Sequence, residues 1–332
     1  MRRLSKVVVT ARAFDATLAR LRTVADRVVS NPSPEPWTHD ELQRNLVDAE
    51  AALMFMTDSV DARVLEASPK LRLLACALKG YDNFDIEACR SSGVAVTAVP
   101  DLLTAPTAEL AVALTLGLGR HVLPGDCYVR AGRFEGWRPT LYGIGLAGSV
   151  VGILGFGAVG RAVAARLAGF DVGSLLYADP QVAPAAVERS LGARHVAGGV
   201  EELLAVSDVV VVCTPLTRGT QHLLNGVRLR QAKAGLLLVN VSRGSCVCEE
   251  AVADALDAGI LGGYAADVFE FEDWALPDRP REVTPRLRAH ERTLFTPHLG
   301  SAVTAVRERI ELEAAEQIVR LAHGLPLDGR VA

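Results

Sequence analysis

The sequence predicts an α/β protein built on parallel sheets, and three observations carry that reading. Short apolar runs alternate with stretches of helical periodicity in two successive series. A glycine turn, Gly155-Phe156-Gly157-Ala158-Val159-Gly160, stands directly behind one of those runs. The length, 332 residues, suits about two domains of ordinary size.

In chain order, residues 7–10 read as a first strand and 14–24 as a helix by apolar spacing. Asn31-Pro32-Ser33-Pro34-Glu35-Pro36 is a loop, because its prolines remove donors and hold the chain extended. Residues 51–56 and 71–77 read as further buried strands, and the first series closes near Ala95-Val96-Thr97. Pro100-Asp101-Leu102-Leu103 leads into a helix over about 107–120. That helix is apolar nearly all round and so requires cover on more than one side. Residues 128–142 mix Phe134 and Trp137 with Arg130, Arg133 and Arg138. Aromatics and arginines are enriched at protein interfaces, so this stretch is expected to be a dimerisation arm. The second series has strands at 150–154, 175–178, 209–213, 236–241, 264–269 and 294–296, with helices at 159–167, 200–206 and 250–258. A final helix at 304–323 adds no strand to that series and is expected to return to the first domain.

Composition excludes several function classes. Half the residues are hydrophobic and 22% charged, which permits a sizeable core and rules out disorder. Net charge is −4 with both signs interspersed, without the basic patch of a nucleic-acid binder. The apolar stretches at 7–10 and 110–118 are too short for a signal sequence or a membrane span. A soluble cytoplasmic protein is expected. The six cysteines, Cys76, Cys89, Cys127, Cys213, Cys246 and Cys248, match neither a zinc nor a disulfide spacing. They are read as reduced structural thiols, and no metal is expected.

The glycine turn follows an apolar strand and opens a helix, the context that gives such a motif meaning. Gly155 permits the tight turn, Gly157 lets backbone approach a pyrophosphate, and Gly160 lets helix and strand pack closely. The helix N-terminus adds donors and positive potential. Asp179 ends the next strand, where a carboxylate accepts from a ribose diol and repels a 2′-phosphate, so NAD is favoured over NADP. Downstream, Arg243 and His298 each follow a strand, on the side where such sheets bind ligands. A guanidinium there can grip an oxyanion in a bidentate manner. A histidine with a carboxylate partner supplies a base poised near neutrality. Both Glu270 and Glu272 are spaced to be that partner, and spacing does not separate them.

The order of these residues resembles the D-isomer-specific 2-hydroxyacid dehydrogenase superfamily over nearly the whole chain. The superfamily's Asp-Val-Phe-x-x-Glu motif falls on Asp267-Val268-Phe269-Glu270-Phe271-Glu272. The resemblance implies two Rossmann-like doubly wound domains. A nucleotide domain (99–298) would be inserted into a discontinuous substrate domain (1–98 and 299–332), and the protein would be a homodimer. It implies catalytic Arg243, Glu272 and His298, with Glu272 orienting the imidazole. It also implies NAD contacts at Thr107, the turn 155–160 (Gly155, Phe156, Gly157, Ala158, Val159, Gly160), Asp179, Cys213, Thr214, Pro215, Val241, Ser242, Arg243, Asp267, His298 and Gly300, with Asp267 at the nicotinamide carboxamide. Within the superfamily the chain is most similar to the phosphite (phosphonate) dehydrogenases. The stretches that carry this are 76–85 (Cys76-Ala77-Leu78-Lys79-Gly80-Tyr81-Asp82-Asn83-Phe84-Asp85), 99–104, 263–270, Glu272-Asp273-Trp274, and Thr296-Pro297-His298 with Gly300-Ser301-Ala302-Val303. That similarity implies that Lys79 binds substrate and contacts the cofactor, and that Met56, Trp137, Tyr142 and Arg307 lie at or near the substrate. Phosphite carries up to two charges, which suits Lys79 and Arg243 together. The resulting expectation is NAD-dependent oxidation of phosphite to phosphate. The rivals are a D-2-hydroxyacid dehydrogenase or glyoxylate/hydroxypyruvate reductase, and an NAD(H)-sensing corepressor-like binding protein. Three departures from the pattern stand out: Cys248 replaces the usual aspartate, at the expense of a helix N-cap; the stretch 170–176 is one residue longer than the family pattern; and Asp179 stands where phosphite enzymes carry glutamate, either carboxylate favouring NAD.

Overall fold

The computed structural model describes residues 2–99, 101–273 and 275–332. Pro100 and Trp274, both within the quoted motifs, lie outside the described residues. The chain divides into two compact units. One comprises the described residues up to Leu103, with 275–277 and Ser301–Ala332; the other comprises Thr104–Asp273 and Asp278–Gly300.

The first unit holds five parallel strands: β1 (Leu4–Val9), β2 (Ala25–Ser30), β3 (Ala51–Met54), β4 (Leu73–Cys76) and β5 (Ala95–Ala98). Their order is β2-β1-β3-β4-β5. β3 and β4 are buried throughout, as strands covered on both faces must be. One face packs against the helix Thr304–His323, whose Ile310, Ala314, Ile318 and Val319 join Val7, Leu53 and Leu73 in a single core. The other face buries Val8, Leu46, Val64 and Leu74. β2 has no counterpart in the sequence reading. It is an edge strand pairing with β1 alone, and its exposed Asp26 and Arg27 break the apolar run that would have marked it.

The second unit holds seven parallel strands: β6 (Val150–Leu154), β7 (Ser174–Ala178), β8 (Ala193–His195), β9 (Val209–Val212), β10 (Leu236–Asn240), β11 (Leu261–Ala266) and β12 (Thr293–Phe295). The order β12-β11-β10-β9-β6-β7-β8 reverses direction between β6 and β9, the switch point where doubly wound sheets bind dinucleotides. The apolar helix Thr104–Gly119 buries Ala108, Ala111, Leu114 and Leu118 in the same core as Val151, Val163 and Val239. β8, three residues of Ala-Arg-His, is too short and polar to read from sequence. β11 begins and ends three residues earlier than the expected 264–269. Asp267, Val268 and Phe269 therefore lie beyond the sheet, where a side chain can turn into a site. Among the described residues, no helix is long and apolar enough to cross a membrane.

Candidate active site

The dinucleotide turn lies at the carboxyl end of β6. Gly155 holds φ +91°, and a Cβ there would stand 2.8 Å from the Thr214 nitrogen, so only glycine lets the ends of β6 and β9 come this close. A Cβ on Gly160 would lie 2.2 Å from the Gly155 carbonyl oxygen, so the helix Ala158–Leu167 is seated directly on the turn. Gly157 is different: a Cβ there would meet nothing within 4 Å. Gly157 is also the N-cap of that helix, and no side chain caps it. The first-turn N–H groups are thus left for an anionic ligand in front of open space, which fits a pyrophosphate. Asp179 braces the turn: its Oδ2 accepts from the Phe156 N–H at 2.8 Å and its Oδ1 from the Gln181 N–H at 2.9 Å. Phe156 is buried and stacks on Tyr177 with ring centroids 3.9 Å apart, so its backbone meets the crevice and its ring the core.

Thr214 and Val241 are buried, and Cys213 and Ser242 half-buried, past the ends of β9 and β10. Pro215 is exposed. Half-buried Thr107 approaches Gly300, where a Cβ would lie 3.1 Å from its Oγ1.

Arg243 follows β10, half-buried in extended backbone that leads into the 3-10 turn Gly244–Cys246. Asn240 fixes this bend, accepting from the Ser242 N–H at 3.1 Å and donating to the Arg243 carbonyl at 2.9 Å. Behind it Gly244 presses on Phe269, whose carbonyl carbon would lie 1.8 Å from a Cβ at position 244. The segment carrying Arg243 therefore backs onto the one carrying Glu272.

Glu272 ends the 3-10 turn Glu270–Glu272, which follows β11. Its Oε1 accepts from the Phe269 N–H at 2.8 Å, and its Oε2 lies 2.6 Å from His298 Nδ1. The ambiguity between the two glutamates is thereby resolved. Glu270 instead faces His222, with Oε2 3.3 Å from Nε2. With Nδ1 held by a carboxylate, Nε2 becomes the nitrogen for proton exchange. His298 has φ +56°, an uncommon conformation for a residue with a side chain. Buried Asp267 enforces it: Oδ1 accepts from the Thr296 hydroxyl and the Leu299 N–H, both at 2.6 Å, and Oδ2 from the Gly300 N–H at 2.8 Å. Burial raises the Asp267 pKa, against the pull of the Thr296 bond. Asp267, expected from resemblance at the carboxamide, thus has both oxygens engaged by the loop that presents the histidine.

Two bracing residues escaped the sequence reading. Glu249 and Glu270 exchange contacts, each carboxylate accepting the other residue's N–H, at 2.6 and 2.8 Å. Burial pushes Glu249 up to about 7. Asp273 accepts the Ser245 N–H at 2.7 Å. Both tie the turn after β10 and its following helix to the turn after β11.

The expected substrate residues fall in both units. In the first, half-buried Lys79 lies three residues past β4 and half-buried Met56 two residues past β3. Arg307 reaches the same strand end, donating to the Ala77 carbonyl at 3.3 Å with its guanidinium 6.0 Å from the Phe55 ring centroid. Burial lowers its pKa. In the second unit, Trp137 and Tyr142 belong to the segment 131–149 and not to a strand end, and they are 78% and 76% exposed.

A family profile for the D-isomer specific 2-hydroxyacid dehydrogenase NAD-binding domain matches residues 112–300. The chain is 36% identical to a glyoxylate reductase of Pyrococcus horikoshii over 288 residues, 85% of this chain and 83% of that protein. With a glyoxylate reductase of Thermofilum pendens it shares 35% over 326 residues, 96% and 92% of the two chains. Among solved structures, the TT0316 protein of Thermus thermophilus superposes with a TM-score of 0.88 at 33% identity, covering 98% of this chain and all of that one.

Proposed function

The chain belongs to the D-isomer specific 2-hydroxyacid dehydrogenase family, and from that premise we propose that it reduces a small 2-oxo acid, glyoxylate foremost, to the 2-hydroxy acid with NADH. The observation that carries this reading is the Glu272–His298 pair, 2.6 Å apart, formed by the segments that follow β11 and β12, with Arg243 just past the end of neighbouring β10. The glyoxylate reductases among the relatives point the same way. The balance is 2-oxo acid + NADH + H⁺ → 2-hydroxy acid + NAD⁺, and the cofactor supplies the hydride. Arg243 holds the carboxylate and polarises the oxo group. His298 delivers the proton from Nε2 as charge builds on the oxygen, and Glu272 stabilises the imidazolium before transfer. Asp179 favours the unphosphorylated ribose.

A second reading rests on Lys79. With Arg307 it places two cations at one strand end of the first unit, suited to an anion of up to two charges. That reading is phosphite + NAD⁺ + H₂O → phosphate + NADH + H⁺, with Lys79 as the residue that selects phosphite and His298 taking a proton from water. One experiment separates the two. Near-UV absorbance of NADH is followed with NADH plus glyoxylate or hydroxypyruvate, and with NAD⁺ plus phosphite, D-lactate or D-glycerate. The first reading expects fast glyoxylate turnover that survives Lys79→Ala. NADH formation with phosphite alone, abolished in Lys79→Ala, overturns it in favour of the second. NADH binding without turnover of any substrate would sink both and leave a corepressor-like sensor.

Two further properties belong to this reading. Six free thiols suit a reducing, cytoplasmic setting. A second copy of the chain covers the exposed apolar side chains of 122–144, among them Val122, Val129, Phe134 and Trp137. Light scattering at micromolar concentration should give a dimer; a monomer would remove the arm.

A further inference from the structure

A second cluster of reactive side chains lies apart from the His298–Glu272 pair. His222, Cys248 and Glu270 each offer one donor atom, and the three atoms lie within 4.8 Å of one another. They come from three separate segments: the loop between β9 and β10, the N-cap of the helix Glu249–Asp257, and the 3-10 turn after β11. We propose that this cluster is a binding site for Zn²⁺ or a similar borderline divalent cation.

Four observations support the proposal. The donor set, one imidazole, one thiol and one carboxylate, is the mixture that selects zinc over the oxygen-seeking Mg²⁺ and Ca²⁺. The 3.3 Å between His222 Nε2 and Glu270 Oε2 also matches a tetrahedral edge, since two metal bonds of about 2.0 Å subtend roughly 3.3 Å. The backbone of each donor is anchored. His222 N–H donates to the Ser245 carbonyl at 2.6 Å, Cys248 N–H to the Leu224 carbonyl at 2.9 Å, and Glu270 N–H to Glu249 Oε1 at 2.8 Å. The second oxygen of Glu270 accepts the Glu249 N–H, which orients the carboxylate as outer partners orient metal ligands. Finally, two local costs otherwise go unexplained. His222 holds φ +47°, and Cys248 occupies an N-cap position while making no cap hydrogen bond. Three protein donors leave the fourth position to water, on the side where His222 is partly exposed. Occupancy would bind together the loop before β10 and the turn that ends in Glu272.

The test is a titration of the full-length, metal-free protein with Co²⁺, which reports a cysteine ligand through its thiolate charge-transfer absorption. One equivalent should produce the band, and Zn²⁺ should displace it. Cys248→Ser should abolish the band and Cys127→Ser, at an exposed cysteine elsewhere, should leave it. His222→Gly removes a donor while suiting the positive φ, so it should remain folded and lose at least tenfold in affinity. Absence of the band in the wild-type protein, its persistence in Cys248→Ser, or unchanged affinity in His222→Gly would each overturn the assignment.

Discussion

The two sheets share a topology and treat its most useful point in opposite ways. Each has parallel strands and a place where the order reverses, between β6 and β9 in the second sheet and between β1 and β3 in the first. At the second sheet's reversal the chain puts glycine: Gly155 lets the strand ends meet, and Gly157 leaves a helix N-terminus uncapped in open space. At the first sheet's reversal it puts Asp58. That carboxylate is buried and accepts from the Phe55 N–H, beyond β3, at 2.6 Å and from the Thr10 hydroxyl, beyond β1. Burial pushes Asp58 up to about 6. A switch point is therefore a binding site only where the chain declines to fill it. Filled by its own side chain, the same geometry becomes a structural joint.

If reaction chemistry is confined to the second sheet's strand ends, His298→Asn should lower kcat by roughly 10²–10⁴-fold while the affinity for NADH stays within a few-fold. Steady-state kinetics and a fluorescence titration check both halves; equal losses in turnover and NADH binding would mean the residue supports the fold more than the chemistry. The contrast between the two switch points can also be erased. Gly157→Asp installs a carboxylate where no atom clashes and where it would cap its own helix. NADH affinity should fall about a hundredfold, ~2.7 kcal/mol, while the melting temperature holds or rises. Unchanged NADH affinity would show that the uncapped N-terminus is not the phosphate site.

The converse change unplugs the first sheet. Because the folded pKa of Asp58, about 6, exceeds the ordinary carboxylate value of about 4, the folded chain binds the proton more tightly than the unfolded one. Stability from this group is present below about pH 4 and is lost as pH rises through about 6. Asp58→Asn should remove that slope, on the order of 2 kcal/mol, in denaturant titrations between those pH values. A slope identical to wild type would place the titration elsewhere. The smallest effect is expected at Cys248→Asp, which supplies the missing N-cap and should add about 1 kcal/mol in metal-free buffer. Circular dichroism melts read it directly.

Legibility in the sequence followed the range of the interactions. The glycine turn and the long buried strands were readable because each depends on local backbone geometry or on a continuous apolar run. β2 and β8 were missed because edge strands carry charge and are short. Arg243 and His298 could be singled out by type and by position after a strand. Nothing local, however, distinguishes Glu270 from Glu272, two residues apart on one turn. Nothing local foretold that the loop 296–300 engages both oxygens of Asp267; His222 had no pattern at all.

By itself the sequence determined the class of fold, the dinucleotide turn and the residue types available for hydride chemistry, because periodicity, glycine freedom and side-chain acidity are properties of short segments. Tertiary structure alone decided which carboxylate meets the histidine, which switch point stays open, and which cysteine stands beside a histidine and a glutamate. Those outcomes depend on segments from different strand ends arriving within hydrogen-bond distance of one another, and no spacing along the chain encodes that meeting.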